Sequence, residues 1–354
     1  MSPVRHASIG DRASVLSRVP PPWFRLFVLT PVVFVTSGVV TILSPVLHFV
    51  LLVIDLVDRN RWRFTRLGGL GIALCVTEFF GLVLAFILWV ASGFGLALRT
   101  RPFRRAHNRA FGWYLELMTR ALRFYLGFSF TMPVHERVDG PVVTFARHAG
   151  PGDAFLLARL VIRDYHRQLR MLGTTKLLWD PFIDHMLRRM PYHFCDQDPA
   201  DAAADLASIA EMCATMDDDS VLIIFPEGGN WTPERWRAAI DRLEFRGLTD
   251  RAARAAAMPN VLAPRTAGAI AALGARDDVT VVFVVHAGLG DLISLREIWR
   301  QIPLRRRAIG EYWVFPPAEV PSDASAIGPW LFDEWERVDR WIEQHRPDTI
   351  DADE

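Results

Sequence analysis

Residues 142–157 read VVTFARHAGPGDAFLL, in which three local patterns follow one another. A run of β-branched and aromatic residues is typical of a buried strand, a Gly-Pro-Gly turn follows it, and the apolar residues after Asp153 indicate a helix. Strand, turn and helix in this order form the repeating unit of an α/β domain. Polar side chains on such a turn lie where parallel sheets place their functional groups.

Similar short apolar runs recur further along the chain and alternate with helical stretches. The predicted strands are 142–146, 169–172, 192–195, 221–225, 279–285 and 312–315, and the predicted helices between them include 154–166, 201–216 and 232–245. This alternation predicts an α/β fold with a mostly parallel sheet flanked by helices. One more amphipathic helix is expected around Trp335.

Two long apolar segments precede this domain. Residues 26–54 carry no formal charge, and residues 67–98 carry only Glu78. Each segment exceeds the roughly 20 apolar residues that cross a bilayer, so together they predict an N-terminal membrane-inserted helical hairpin. A cleaved signal peptide is the alternative for the first segment, and a buried core helix is the alternative for the second. A re-entrant hairpin that dips into one leaflet is also open.

Flanking arginines predict the orientation, because cytoplasmic segments are enriched in them. The N-terminal tail and the stretch after the second apolar segment together carry more arginines than the connecting loop. We therefore expect a cell-membrane protein whose catalytic part lies on the cytoplasmic face. The expected organisation is a tail at 1–22, a two-helix membrane hairpin at 23–105, a catalytic domain at 106–345 and an acidic tail at 346–354.

An amphipathic helix is predicted at 106–128, where Phe111, Leu115 and Met118 share one face. This face either packs on the catalytic domain or lies in the lipid headgroup layer.

The overall composition narrows the functional class. Formal net charge is zero, so the chain lacks the basic field of a nucleic-acid-binding protein. The three cysteines are unclustered, which indicates neither a disulfide framework nor a cysteine metal site.

His148 and Asp153 on the Gly-Pro-Gly turn are candidates for proton transfer. A histidine at this place can take a proton from a hydroxyl, and a nearby carboxylate can fix the tautomer of its ring. The spacing alone is weak, because four of the ten histidines have an aspartate five residues later, and one of them is His286 in HAGLGD. The alternative role of Asp153 is to cap the helix that follows.

A second motif, VLIIFPEGGNWTPERW at 221–236, is a strand that leads into a glycine turn and then a helix. Amide groups at Gly228, Gly229 and the helix start can bind an anion, because little side chain obstructs them. A tight structural turn is the alternative.

Together the two motifs resemble the glycerolipid acyltransferase family, which includes 1-acylglycerol-3-phosphate and lysocardiolipin acyltransferases. HxxxxD at His148 and Asp153 is followed by FPEG at 225–228, behind a membrane hairpin. The stretches TKLLWDPF at 175–182, NVLAPRTAGAIAAL at 260–273 and VVFVVHAG at 281–288 resemble further parts of the family pattern. The His-Asp pair of the family precedes FPEG, and this order favours His148 over His286.

The resemblance implies transfer of a fatty acyl group from an acyl-CoA or acyl carrier protein thioester to a hydroxyl of a lysophospholipid, most simply 1-acylglycerol-3-phosphate, in phospholipid synthesis. His148 would be the general base and Asp153 its orienting partner. Glu227, Gly228 and Gly229 would contact the acceptor. The implied partners are the lipid acceptor, the thioester donor and the bilayer, with no further cofactor and no metal.

The sequence departs from the family pattern at two arginines. Asn230 stands where the third motif usually has arginine, and Gln197 stands at the end of the second motif. Lys176, Arg265 and Arg147 are candidates to replace them, and a surface ion pair is the alternative for each. Another acceptor, such as a glycolipid or a different lysophospholipid, is therefore open, as is a non-catalytic protein that binds lipid or acyl-CoA.

Overall fold

The computed structural model describes residues 19–58, 62–133, 138–150, 152–195, 202–288, 299, 302–303 and 307–345. The expected acidic tail, most of the N-terminal tail, Gln197 and Asp291 lie outside these residues.

Two long helices form the N-terminal hairpin. Helix α1 is Pro22–Asp58 and helix α2 is Arg63–Ala91, and both are long and apolar enough to cross a membrane. They pack closely where α1 has Gly38, at which a Cβ atom would lie 3.1 Å from the ring of Phe79. Much of the outer surface of α1 is apolar and exposed, as at Phe27 and Ile42. These features weakly indicate association with a membrane.

Glu78, the single charge in the second apolar segment, faces the rest of the protein. Its Oε2 accepts a hydrogen bond from the Tyr114 hydroxyl at 3.0 Å, and its Oε1 accepts one from the backbone N–H of Phe182 at 3.1 Å. A carboxylate in an apolar helix needs such partners, because an unpaired buried charge is costly. Helix α2 is thereby fixed to the domain that follows.

Helix α3, Arg101–Ala121, connects the hairpin to the sheet and continues as a π-helical turn at Leu122–Leu126. It begins five residues before the predicted start at 106. Phe111 and Leu115 are buried against the domain. The Asn108 amide also donates to the Arg167 carbonyl at 2.8 Å and accepts from Leu169 N–H at 3.1 Å. The structure thus confirms the packing interpretation of the apolar face.

The sheet contains seven strands among the described residues. In chain order they are β1 Ser129–Thr131, β2 Val142–Ala146, β3 Gln168–Gly173, β4 Tyr192–Phe194, β5 Ser220–Ile224, β6 Thr280–Ala287 and β7 Arg307–Phe315. Their order across the sheet is β1-β7-β6-β2-β5-β3-β4. Strands β4, β3, β5, β2 and β6 are parallel to one another, and β7 is antiparallel to β6. The predicted mostly parallel α/β sheet is confirmed.

Helices cover both faces of this sheet. They are α4 Asp153–Arg159, α5 Pro181–Leu187, α6 Ala202–Ala214, α7 Pro233–Phe245, α8 Thr249–Ala256, α9 Thr266–Leu273 and α10 Ala324–Gln344. Alternate strand residues serve opposite faces, as expected for a pleated strand. Val143 and Phe145 pack in one core with Trp335 of α10, whereas Val142 packs in the other core with Phe111 of α3 and Phe182 of α5.

The register of the central strands brings distant segments to one edge. In β2 and β6, Ala146 pairs with Val284, and in β2 and β5, Phe145 pairs with Ile224. Because these strands are parallel, the residues that follow them emerge side by side at their carboxyl ends. The His148 turn, the Gly228 turn and the end of β6 therefore meet.

Candidate active site

The predicted His148–Asp153 pair is assembled on the turn after β2. Asp153 is the first residue of α4, and its carboxylate turns back from the helix instead of capping it. Its Oδ2 accepts a hydrogen bond from Gly150 N–H at 2.7 Å and lies 3.5 Å from Nδ1 of His148. Asp153 is buried, whereas the His148 side chain is 20% exposed. A histidine supported from beneath therefore faces outward.

The surroundings of Asp153 keep its carboxyl group ionised. Desolvation alone would raise the pKa of Asp153, but the nearby His286 and His148 and the hydrogen bond from Gly150 N–H hold that pKa below its usual range. An anionic Asp153 favours the tautomer of His148 with a proton on Nδ1. Nε2 of His148 is then free to accept a proton, which is the requirement for a general base.

His286 lies on the other side of the same carboxylate. Its Nε2 is 3.4 Å from Oδ2 of Asp153, and its ring is buried. The order of the motifs predicted that His286 is not the catalytic histidine, but the sheet places its ring next to Asp153. No signal along the sequence joined the two histidines; in the structure each lies two positions beyond the Ala146–Val284 pair of β2 and β6.

Glu227 lies beneath the two turns and holds them together. Its Oε1 accepts a hydrogen bond from His148 N–H at 2.9 Å, and its Oε2 accepts one from Leu262 N–H at 3.1 Å. The side chain is buried, and this burial raises the pKa of Glu227 to about 7 despite the opposing charge of Arg147. Glu227 was predicted to contact the acceptor, but both of its carboxylate oxygens accept hydrogen bonds from backbone N–H groups of the site.

The glycines after Glu227 leave room for arginine side chains. Gly228 has φ +67°, and a Cβ atom there would lie 2.7 Å from Cζ of Arg265. A Cβ atom at Gly229 would lie 2.6 Å from a guanidinium nitrogen of Arg235. The turn is further fixed by a hydrogen bond from Arg265 N–H to the Pro226 carbonyl at 2.8 Å. Side chains in place of either glycine would displace these guanidinium groups.

Positive charge is concentrated at this turn. Although Arg265 is exposed, partial desolvation and the charges of Arg242 and Arg235 lower the pKa of its guanidinium. Arg246 contributes in the same direction. Sequence reasoning named Arg265 and missed the other three, of which Arg235 and Arg242 lie seven residues apart on one face of α7 and Arg246 is its C-cap residue. An anion is the ligand that such a cluster suits.

The other two basic candidates differ in position. Lys176 lies on the 3₁₀ turn Thr175–Trp179 after β3, at the same edge of the sheet, and is exposed. Arg147 is buried, and its guanidinium donates to the His286 carbonyl at 2.8 Å and to the Asn260 carbonyl at 3.1 Å. Lys176 is therefore accessible to a ligand. Arg147 instead links the end of β2 to the end of β6 and to the segment that contains Asn260.

One comparison with known proteins found a match. The Acyltransferase family model matches residues 129–286, from β1 to the histidine that ends the site. Comparisons with curated proteins and with solved structures gave no match. Over the described part of the chain, no group of three or more histidine, cysteine or acidic side chains could hold a metal ion. The acyltransferase domain supports acyl transfer as the general reaction.

Proposed function

From this acyltransferase domain, we propose that the protein is a membrane-anchored O-acyltransferase of phospholipid synthesis. It transfers a fatty acyl group from acyl-CoA or an acyl carrier protein thioester to a hydroxyl of a lysophospholipid, with 1-acylglycerol-3-phosphate as the preferred acceptor. One observation carries the proposal: an outward-facing His148, backed by the buried anion of Asp153, stands at the strand ends where the arginine-lined Gly228 turn also lies.

The chemistry needs no covalent enzyme intermediate. Nε2 of His148 takes the proton of the acceptor hydroxyl as its oxygen attacks the thioester carbonyl carbon. The imidazolium that forms is stabilised by Asp153, 3.5 Å from Nδ1 in the resting site. The tetrahedral intermediate collapses with cleavage of the C–S bond, and the thiolate receives the proton from His148. The products are the ester and the free thiol, and His148 returns to its neutral form.

The acceptor phosphate is assigned to the Gly228 turn. Arginine suits phosphate because its planar guanidinium can donate two parallel hydrogen bonds. Arg265 over Gly228 and Arg235 over Gly229 supply guanidinium groups next to Asn230, the position where the family usually has arginine. Lys176, on a neighbouring turn, is the further candidate. Glu227 supports this pocket from beneath through its bonds to His148 and Leu262.

The hairpin supports placement at a bilayer. Helices α1 and α2 are long and apolar enough to span it, and Glu78 of α2 is bonded to the domain. A lysophospholipid acceptor has the same location, so anchoring keeps enzyme and acceptor in one layer. With the arginine distribution, we assign the catalytic domain to the cytoplasmic face, where acyl thioesters are made available.

The test is acyl transfer by the full-length protein in nanodiscs. Radiolabelled acyl-CoA and acyl carrier protein thioester are each offered with lysophosphatidate, other lysophospholipids and a phosphate-free glycolipid. We expect labelled diacyl product with lysophosphatidate, formed about 10²–10⁴-fold more slowly by the His148→Ala protein. Exclusive use of phosphate-free acceptors would reassign the acceptor to a glycolipid, and stoichiometric lipid binding without product would favour the non-catalytic alternative.

A further inference from the structure

Two histidines approach a single carboxylate oxygen at the centre of the site. Oδ2 of Asp153 lies 3.5 Å from Nδ1 of His148 and 3.4 Å from Nε2 of His286. The same oxygen accepts the hydrogen bond from Gly150 N–H at 2.7 Å. The catalytic pair is therefore part of a three-residue group, and only one of its two histidines has an exposed ring.

The backbone holds His286 in this place from three directions. Strand β6 is hydrogen-bonded to β2 on one side and to β7 on the other, where His286 pairs with Gly310. The Arg147 guanidinium donates to the His286 carbonyl at 2.8 Å. A residue on a central strand between two neighbours has little freedom to move. The approach to Asp153 is thus imposed by the sheet.

The polar atoms of the His286 ring need a partner in this buried setting. Neither ring nitrogen makes a short hydrogen bond to another described residue, and the neighbouring side chains include the apolar Phe130, Leu156 and Val284. A buried donor without a partner costs free energy, so the contact with the Asp153 anion is what compensates for its burial. Packing alone would be served better by an aliphatic side chain.

We propose that His286 is a positioning residue of the acyl-transfer site, which donates its Nε2 proton to Oδ2 of Asp153 and fixes the carboxylate against His148. This inference rests on the proposed acyltransferase function. His286 is not the base in this scheme, because the proton of the acceptor passes to Nε2 of His148. Its role is to stop the Asp153 carboxylate from rotating away when His148 becomes an imidazolium.

The first test is kinetic. His286→Ala should lower kcat by about tenfold to a hundredfold, the scale of a slight misplacement of a catalytic group, with KM for the acceptor changed less than about threefold. His286→Gln should recover most of the loss, because the Gln amide N–H can reach the position of Nε2. In an Asp153→Asn background, His286→Ala should cost less than about twofold, because its partner is already gone.

A matched control separates positioning from stability. His107 is also buried, and its Nδ1 lies 2.6 Å from the Phe103 carbonyl, far along the chain from the site. His107→Gln should lower the melting temperature without changing kcat per folded protein. Wild-type kcat in His286→Ala would overturn the inference. The inference would also be overturned if His286→Ala lowered kcat by the same factor in the Asp153→Asn background as in the wild type, because His286 would then act independently of Asp153.

The second test does not depend on activity. In protein labelled with ¹⁵N-histidine, Asp153→Asn should shift the ring signals of both His148 and His286, assigned with the single His→Gln variants. The control Asp205→Asn should shift only His193, whose Nε2 lies 2.8 Å from Asp205. An unmoved His286 signal refutes the shared carboxylate even if the protein transfers acyl groups. If the wild-type protein transfers no acyl groups, the proposed function is refuted. The shift of the ring signals still tests whether the two histidines share Asp153.

Discussion

Replacement of Glu227 tests whether a buried carboxylate holds the two site turns together. Glu227→Ala removes the acceptor of two backbone hydrogen bonds, from His148 and Leu262. A buried donor left without a partner costs about 1–3 kcal/mol, so the two together predict a loss of about 2–6 kcal/mol in the free energy of unfolding. Glu227→Gln keeps one acceptor oxygen and should lose about half of that amount.

The pH dependence of the same comparison has a defined sign. Burial raises the pKa of folded Glu227 from 4.5 to about 7, so the folded protein binds more protons than the unfolded chain between these values. The contribution of Glu227 to stability is therefore greatest below about pH 4.5 and is lost as pH rises through about 7. The advantage of wild type over Glu227→Gln should be about 2–3 kcal/mol larger near pH 5 than near pH 8.

Denaturant unfolding in detergent micelles measures these differences, with acyl transfer measured in parallel. The exposed Glu211→Gln on α6 is the control for loss of a carboxylate as such, and it should leave both quantities unchanged. Glu227→Gln should also lower kcat, because the backbone of His148 loses a fixed support. Stability of Glu227→Ala within about 0.5 kcal/mol of wild type, the usual scale for surface changes, would refute the bridging role. An advantage that grows toward alkaline pH would refute the assigned protonation.

Three further outcomes follow from the site and the hairpin. His148→Ala should lower kcat by about 10²–10⁴-fold at unchanged melting temperature, and retention of wild-type kcat would remove His148 from the reaction. Arg265→Gln should raise the KM for lysophosphatidate and lower kcat/KM by about tenfold to a hundredfold, and Lys176→Gln should have a smaller effect. Equal kcat/KM for lysophosphatidate in the wild type and both variants would show that the phosphate binds elsewhere. The full chain should stay with membranes after salt and carbonate washes, because salt screens charges but leaves hydrocarbon contacts, and recovery in the supernatant would contradict the anchor.

The parallel sheet was predictable because its strands are buried on both faces and stand out as continuous apolar runs. The strand β1, three residues long at Ser129–Thr131, is too short for such a signal and was missed. The boundary expected at 105 falls inside α3, since the arginines of its first turn gave no apolar periodicity. Helical continuity there depends on Pro102 at the start and on packing of the later turns.

The candidate site was predicted where the chemistry is local in sequence. His148 and Asp153 share one turn, and their place ahead of FPEG distinguished them from the other histidines with an aspartate five residues later. His286 depends on the register between β2 and β6, which the order of motifs along the chain does not contain. The buried position of Glu227 was also hidden, because an acid beside two glycines is typical of an exposed turn. Its partners, His148 N–H and Leu262 N–H, come from segments distant in sequence.

Attachment of the hairpin to the domain links helix α2 to one edge of the candidate site. Glu78 of α2 accepts the Phe182 N–H, and Tyr114, which donates to Glu78, also lies 3.3 Å from Asp180. Asp180 caps α5 and directly follows the turn that carries Lys176. Helix α2 is therefore bonded to the segment that borders the carboxyl edge of the sheet. In the proposed function, this attachment would fix that edge, with Lys176 and the arginines around Gly228, relative to the membrane that holds the lipid acceptor.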